Sequence, residues 1–389
     1  MVVKLDTRIG IIGGGQLGKM LIEAAQPLNF YCTILESDEN APASRIADVQ
    51  LIGKLTEARG IRELAKMSDV LTYEIEHVDV DTLLALEKDG VKIIPSPQIL
   101  SIIKDKGLQK QFYKSYNIPT APFLLVDSPA EWKDALTTSG FKRFAAKLRQ
   151  GGYDGKGVAL CNTISILSGE EPVPFDAPCM LEEFVECEKE LSVMVARDEQ
   201  GNTTTWPVVE MDFDPQANLV EFLASPARIN DSITEEARKI ALLTIEKLNG
   251  VGVFAVEMFL DKKGQVLVNE VAPRPHNSGH HTIEANYTSQ YEQLVRILTG
   301  LPLGNTGMIK PAVMLNLLGN GTFRGKFTLQ GMDTVLKMPG VYIHLYNKKK
   351  CRPMRKMGHV TVLGDTLEEA IEKATFVKNT LTFIPVGNE

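Results

Sequence analysis

The sequence predicts a mixed α/β and α+β protein built in three units. Short apolar runs alternate with amphipathic stretches before residue 95, Pro95-Ser96-Pro97 breaks that pattern, and a different one begins beyond Gly307. In the first unit, 1–98, apolar runs at 9–12, 31–35 and 70–73 are separated by amphipathic stretches at 16–26 and 56–66. That is the signature of βαβα units around a Rossmann-like parallel sheet. The two prolines disfavour strand and helix alike, so the boundary falls near residue 98, where a helix begins. The second unit, 99–306, mixes expected strands at 144–148, 179–184 and 191–195 with a hairpin running from 253–260 to 265–271. The third, 307–389, is a small C-terminal domain with strands at 312–318, 341–346 and 359–363, a short helix near 333–337 and a helix over 366–378.

A chain of 389 residues exceeds one ordinary core, and 44% hydrophobic with 23% charged residues is a globular composition. A formal charge of −7 excludes the broad basic surface of a general nucleic-acid or anionic-membrane binder, so any anion site must be local. No stretch approaches the ~18 uninterrupted apolar residues of a membrane span, and the opening Met1-Val2-Val3-Lys4-Leu5-Asp6 has no secretory core; a cytoplasmic protein is expected. Cys32, Cys161, Cys179, Cys187 and Cys351 are scattered and odd in number, which reads as reduced thiols rather than a disulfide framework or zinc site.

The chemistry concentrates in the second unit. Arg149-Gln150-Gly151-Gly152-Tyr153-Asp154-Gly155-Lys156-Gly157 follows Lys147 at a strand end, so backbone amides and an ammonium converge on one polyphosphate. Lys106 is a candidate second cation. Glu182-Glu183-Phe184-Val185, with Glu190 beyond, suits an adenine held by backbone groups and a ribose held by a carboxylate. In the hairpin, pairing Leu260 with Gln265 sets Glu257 opposite Val268, and Glu270 then shares its face at a diagonal offset of ~7–8 Å. Two such carboxylates with nucleotide phosphates suit Mg²⁺.

Outside that core three further motifs stand out. Gly13-Gly14-Gly15-Gln16-Leu17-Gly18 follows a strand and opens a helix, with Glu36 ending the next strand. This turn is open to a dinucleotide, another phosphate or no ligand, and the better-equipped nucleotide site downstream tips it away from NAD. Pro273-Arg274-Pro275-His276-Asn277-Ser278-Gly279-His280-His281 is a rigid polar run without a zinc spacing, fitted to hydrogen-bond a substrate. Lys348 to Lys356 concentrates positive charge, and without interleaved aromatics a phosphate monoester is favoured over a solvated loop or nucleic acid.

These motifs, with Thr72-Tyr73-Glu74, Asn269-Glu270-Val271-Ala272-Pro273-Arg274 and Arg352-Pro353-Met354-Arg355-Lys356-Met357-Gly358-His359, closely resemble the ATP-grasp family and, within it, the carboxyaminoimidazole ribonucleotide synthetases over nearly the whole chain. The resemblance implies a Rossmann-like pre-ATP-grasp domain, an ATP-grasp domain with a lid at about 120–178, and carboxylation of 5-aminoimidazole ribonucleotide by ATP and bicarbonate through carboxyphosphate. It implies that Lys106, Lys147, Gly152, Tyr153, Asp154, Gly155, Lys156, Gly157, Val158, Glu182, Glu183, Phe184, Val185, Glu190, Glu210, Asn269 and Glu270 bind ATP. Mg²⁺ would sit on Glu257 and Glu270. Tyr153, Asp154, Arg274 and Asn277 would act where carboxyphosphate meets the amine. Gly15, Gln16, Leu17, Glu76, His276, Asn277, Lys348 and Arg355 would hold the ribonucleotide. It further implies a homodimer, no nucleic-acid or membrane partner, and, since the chain stops at Glu389, a separate mutase for the product. The family pattern has glycine where Asn347 and Met354 stand, and an asparagine-like residue in place of His77. Competing expectations are another ATP-grasp ligase, a silent nucleotide-binding regulator and an NAD-linked dehydrogenase.

Overall fold

A computed structural model describes residues 6–152, 157–214, 219–319 and 323–386. Tyr153, Asp154, Gly155 and Lys156 lie outside the described residues. The N-terminal sheet is parallel, in the order Val49–Ile52, Tyr31–Glu36, Arg8–Ile12, Val70–Tyr73. Both faces are covered, as a parallel sheet requires. Ile9, Ile11 and Ile34 pack with Met20 and Leu21 of helix Gln16–Ala25 and with Leu294 of helix Gln290–Thr299. Ile12, Leu35 and Tyr73 pack with Ile61 and Leu64 of helix Ala58–Met67 and Leu83 and Leu86 of helix Val80–Lys88. The strand at 49–52 and the helix Val80–Lys88 had no expected counterpart. The helix is opened by Asp79, whose carboxylate accepts from Thr82 N at 3.1 Å.

Helix Pro97–Ile103 starts at the expected boundary. Asp105 then caps a new helix, Lys106–Ser115, accepting from Gly107 N at 2.8 Å and Leu108 N at 3.1 Å. A four-stranded antiparallel sheet follows, in the order Phe123–Val126, Cys179–Glu183, Arg143–Leu148, Val158–Asn162, packed on helix Trp132–Ser139.

The central sheet runs Val266–Ala272, Gly252–Asp261, Cys187–Arg197, Val209–Asp214, Leu219–Ser225, Ala312–Leu318, Lys356–Leu363, Val341–Leu345, with Thr203–Thr205 paired beside Cys187–Arg197. The C-terminal unit therefore extends this sheet while keeping its own core of Val313, Val360 and Val362 against Ala370, Ala374 and Val377. On one face of the central sheet Leu191, Val193, Val256 and Met258 pack against helix Asp231–Lys247. Cross-strand register puts Glu190, Ser192 and Glu257 on the other face. Among the described residues no helix is long and apolar enough to cross a membrane.

Candidate active site

The acidic hairpin corrects the expected register. Leu260 pairs with Val266 rather than Gln265, and a bulge follows Met258–Val268, so Glu257 stands directly opposite Glu270. The first shift comes from the turn, where Gly264 adopts φ 82° and the Asp261 carboxylate accepts from Lys263 N and Gln265 N at 2.8 Å each. The second comes from Asn269, the extra residue of the bulge. The bulge brings two consecutive side chains to the site: Asn269 Oδ1 accepts from Lys147 Nζ at 3.2 Å and Glu270 Oε2 from Lys106 Nζ at 2.5 Å.

Burial, with the charges of Glu270 and Glu190, raises the Glu257 carboxyl, while Lys106 holds Glu270 well below the usual carboxylate range. Repulsion between the two is what a divalent cation placed between them relieves, and facing carboxylates beside the Asn269 amide are the hard oxygen donors Mg²⁺ takes. His276 Nε2 lies 3.2 Å from Glu257 Oε1, and its Nδ1 accepts from Ser278 N at 3.3 Å. Burial and the neighbouring Arg274 push this imidazole down to about 3. Neutral and held at Nδ1 by Ser278 N, the ring places its Nε2 edge beside the Glu257 carboxylate. Glu190, on the same sheet face, is raised to about 7 by burial.

The expected phosphate cations converge here with one the sequence reading missed. Lys106, Lys110, Lys147, Asn269 and Glu270 line one small cavity with Gln109 and Met180. Lys147 Nζ is 2.5 Å from Glu182 Oε2, and Lys110 pairs with the other oxygen of the same carboxylate. The four-residue spacing of Lys106 and Lys110, which places both on one helix face, was the available signal. Arg149, at the base of the glycine loop, grips Asp105 through Nε at 2.9 Å and Nη2 at 2.8 Å, and its carbonyl accepts from Lys106 N at 2.9 Å. The loop is thereby tied to the helix that carries Lys106. Gly151 and Gly157 take φ 80° and 78°, and Leu148 N donates to Gly157 O at 2.8 Å, closing the hairpin from which Val158 continues.

In the expected adenine segment Glu183 N and Phe184 N are taken by Pro122 O and Arg143 O, while Val185 N donates to no described residue. Glu210 is engaged by the protein's own cations. It pairs in register with Leu191, so its side chain leaves the sheet on the face opposite Glu190, where Lys189 at 2.6 Å and Arg228 hold it. The structure makes it a buried anchor for those two cations.

The N-terminal glycine turn is filled by the protein itself. Glu74 accepts from Gly15 N and Gly18 N, and Glu36 from Gly14 N at 3.1 Å, Ser37 N at 2.7 Å and Asp38 N at 3.2 Å. A dinucleotide would find its amides occupied and its ribose carboxylate engaged, which removes the basis of the NAD reading. Among the described residues the Gln16 and Leu17 amides donate to no protein group. Gly13 has φ 107°, and a Cβ there would lie 2.4 Å from Glu74 Cγ. Gly13→Ala is expected to destabilise the protein by about 1–3 kcal/mol, read as a lower denaturation midpoint.

Arg274 bridges units: it pairs with Glu76 at 2.8 Å, and Nη1 donates to Pro275 O at 3.1 Å. Asn277 and Asn316 exchange reciprocal amide bonds of 2.9 and 3.0 Å, linking the polar run to the C-terminal strand Ala312–Leu318. In the basic loop Lys348 Nζ donates to Lys356 O at 2.6 Å and sits 5.4 Å from the Tyr346 ring. Burial and the nearby Arg355 and Lys356 lower Lys348 to about 8, and burial with Arg352 lowers Arg355. Clustered cations that depress one another favour an anion between them. Asn347 and Met354 adopt φ 54° and 60°, the left-handed backbone that explains why glycine suits these two positions. Lys349 reaches Asn40, joining this loop to the N-terminal unit.

Comparison with known proteins identifies the family of the chain. Residues 6–104 match the ribonucleotide synthetase preATP-grasp domain, 111–291 the ATP-grasp domain and 312–373 the phosphoribosylaminoimidazole carboxylase C-terminal domain. The chain is 36% identical to N5-carboxyaminoimidazole ribonucleotide synthase of Bacillus subtilis, over 94% of each chain. It is 39% identical to phosphoribosylaminoimidazole carboxylase of Ogataea methanolica, covering 98% of this chain and 71% of that protein. The crystal structure of N5-carboxyaminoimidazole ribonucleotide synthetase from Thermotoga maritima superposes with a TM-score of 0.88 at 44% identity, over 98% of this chain and 100% of that one. The Aspergillus clavatus enzyme, in complex with ADP and 5-aminoimidazole ribonucleotide, gives a TM-score of 0.84 at 31% identity, over 96% and 99%. Three matched domains in this order, with the lysines and the acidic hairpin meeting at one cavity, place the chain in the N5-carboxyaminoimidazole ribonucleotide synthase family of ATP-grasp ligases.

Proposed function

We propose that this protein carboxylates the exocyclic amine of 5-aminoimidazole ribonucleotide with bicarbonate, using ATP and giving N5-carboxyaminoimidazole ribonucleotide, ADP and phosphate. One observation carries this reading: Glu270 is at once the partner of Lys106 and the cross-strand neighbour of Glu257, so phosphate-binding cations and metal-binding carboxylates meet at one point. A bicarbonate oxygen attacks the γ-phosphorus, and the bond to the β,γ-bridging oxygen breaks. The amine nitrogen then attacks the carbon of carboxyphosphate, phosphate leaves, and the nitrogen loses a proton. Such chemistry asks for positioning and charge neutralisation more than for a protein nucleophile.

Lys106 and Lys147 take the phosphates, and Val185 with its neighbours takes the adenine. Glu257 and Glu270 would hold Mg²⁺, whose chemistry would be to neutralise phosphate charge. Arg274, Asn277 and neutral His276 line the meeting point, with Tyr153 and Asp154 contributed by the loop. Lys348 and Arg355 hold the ribonucleotide phosphate beside Gln16 and Leu17. The same reading includes a homodimer, a cytoplasmic location and a separate mutase that takes the product. ADP release should require ATP, bicarbonate and the ribonucleotide together. Turnover that persists when the ribonucleotide is omitted, or that accepts another acid under CO₂-free conditions, would point to a different ligase.

A further inference from the structure

Lys110 is a lysine the proposed chemistry does not use, yet its side chain is only 2% exposed and faces the phosphate cavity. Its ammonium pairs with Glu182 and donates to Thr120 Oγ1, and it lies 3.4 Å from Val268 O. Thr120 in turn donates to Val268 O at 2.7 Å, so Lys110 is held by the acidic hairpin as well as by the lid sheet. Glu182 therefore has two cationic partners, one on each oxygen, and they differ in kind. Lys110 lies on helix Lys106–Ser115 with 2% of its side chain exposed, while Lys147, on lid strand Arg143–Leu148, is 12% exposed and also reaches Asn269.

Resting on the ATP-binding reading above, we propose that Lys110 is a positioning residue that keeps Glu182 neutralised, so that Lys147 can exchange this carboxylate for the phosphates of ATP. Glu182 is 3% exposed in its side chain. A carboxylate buried to that degree and stripped of its cation is strongly unfavourable. With Lys147 as its sole partner it would compete with ATP for that ammonium. With Lys110 in place, the carboxylate stays paired whichever anion Lys147 contacts. Lys106, Lys110 and Lys147 all line the cavity, the first paired with Glu270 and the other two with Glu182.

The test is calorimetric titration of the full chain with Mg-ATP and, separately, with adenosine, alongside thermal unfolding. Lys110→Met should weaken ATP by about tenfold or more, the scale of one lost charged hydrogen bond, and leave adenosine affinity unchanged. Thr120→Val, which removes the hydroxyl that accepts from Lys110 Nζ, should weaken ATP by about threefold with adenosine unchanged, and it decides the matter where Lys110→Met fails to fold. Parental ATP affinity in a folded Lys110→Met or Thr120→Val, or equal losses for ATP and adenosine, would each overturn the proposal. A parent protein that binds no ATP would instead overturn the functional reading on which it rests.

Discussion

Replacing Glu270 with alanine is expected to remove ribonucleotide-dependent ADP release almost entirely, by on the order of 10³-fold or more in kcat, while leaving the fold in place. The side chain meets three demands at once. It faces Glu257 across the hairpin, it balances Lys106 at 2.5 Å, and it lies beside Asn269, which holds Lys147. Losing a preorganised group that neutralises transition-state charge commonly costs 10²- to 10³-fold. Here the metal site and the orientation of a phosphate lysine would be lost together. The fold should survive because Glu270 is 42% exposed in its side chain and Lys106 keeps solvent access, so no unpaired charge is entombed. Glu270→Gln separates the effects: it keeps the shape and a hydrogen-bond acceptor for Lys106 but removes the charge a metal needs. Its turnover should stay near that of alanine, and parental turnover in Glu270→Gln would refute the metal assignment. Unfolding midpoint and ADP release measured on the same preparations distinguish a lost site from a lost fold.

Much of this centre could be read before any coordinates, and the remainder shows what sequence pattern omits. The strands at 70–73 and 312–318 coincide with their apolar runs because the first is bounded by Asp69 and Glu74 and the second by Pro311 and Gly319, which do not continue them. The strand at 49–52 escaped notice because Gln50 interrupts a run of only four residues. The pairing of Glu257 with Glu270 was off by two residues for a physical reason. Neither a left-handed Gly264 in the turn nor a bulge at Asn269 leaves a mark in hydrophobic periodicity, and each moves the register by one. Glu210 looks in sequence like the other acidic strand residues, and only its register with Leu191 puts it on the face opposite Glu190. Glu74 and Lys110 were hidden because their partners, the amides of Gly15 and Gly18 and the carboxylate of Glu182, are distant in sequence. Periodicity reports which face is buried; it does not report which buried charges meet.

Arg274→Ala should produce the second large loss, at least about 10²-fold in kcat by the same measure of a lost preorganised donor, with a different signature. The guanidinium is anchored by Glu76 of the N-terminal unit and by Pro275 O, while among the described residues its buried Nε has no partner. A buried N–H without an acceptor is costly unless something visits it, and the groups around Arg274 lie between the acidic hairpin and the filled glycine turn, since Glu257 and Glu74 both act on its charge. That is where carboxyphosphate and the amine would meet. ATP affinity should therefore be nearly unchanged in Arg274→Ala, because the lysine cavity is built from other side chains. Coupling should fail, with phosphate released in excess of carboxylated product as the unstable intermediate meets water. Lysine should not substitute, because a compact ammonium cannot span Glu76, the Pro275 carbonyl and a third acceptor as a planar fork does. Parallel measurement of phosphate and carboxylated product decides the point. A variant that keeps a one-to-one ratio while its affinity for ATP collapses would move Arg274 from the reaction centre to the nucleotide site.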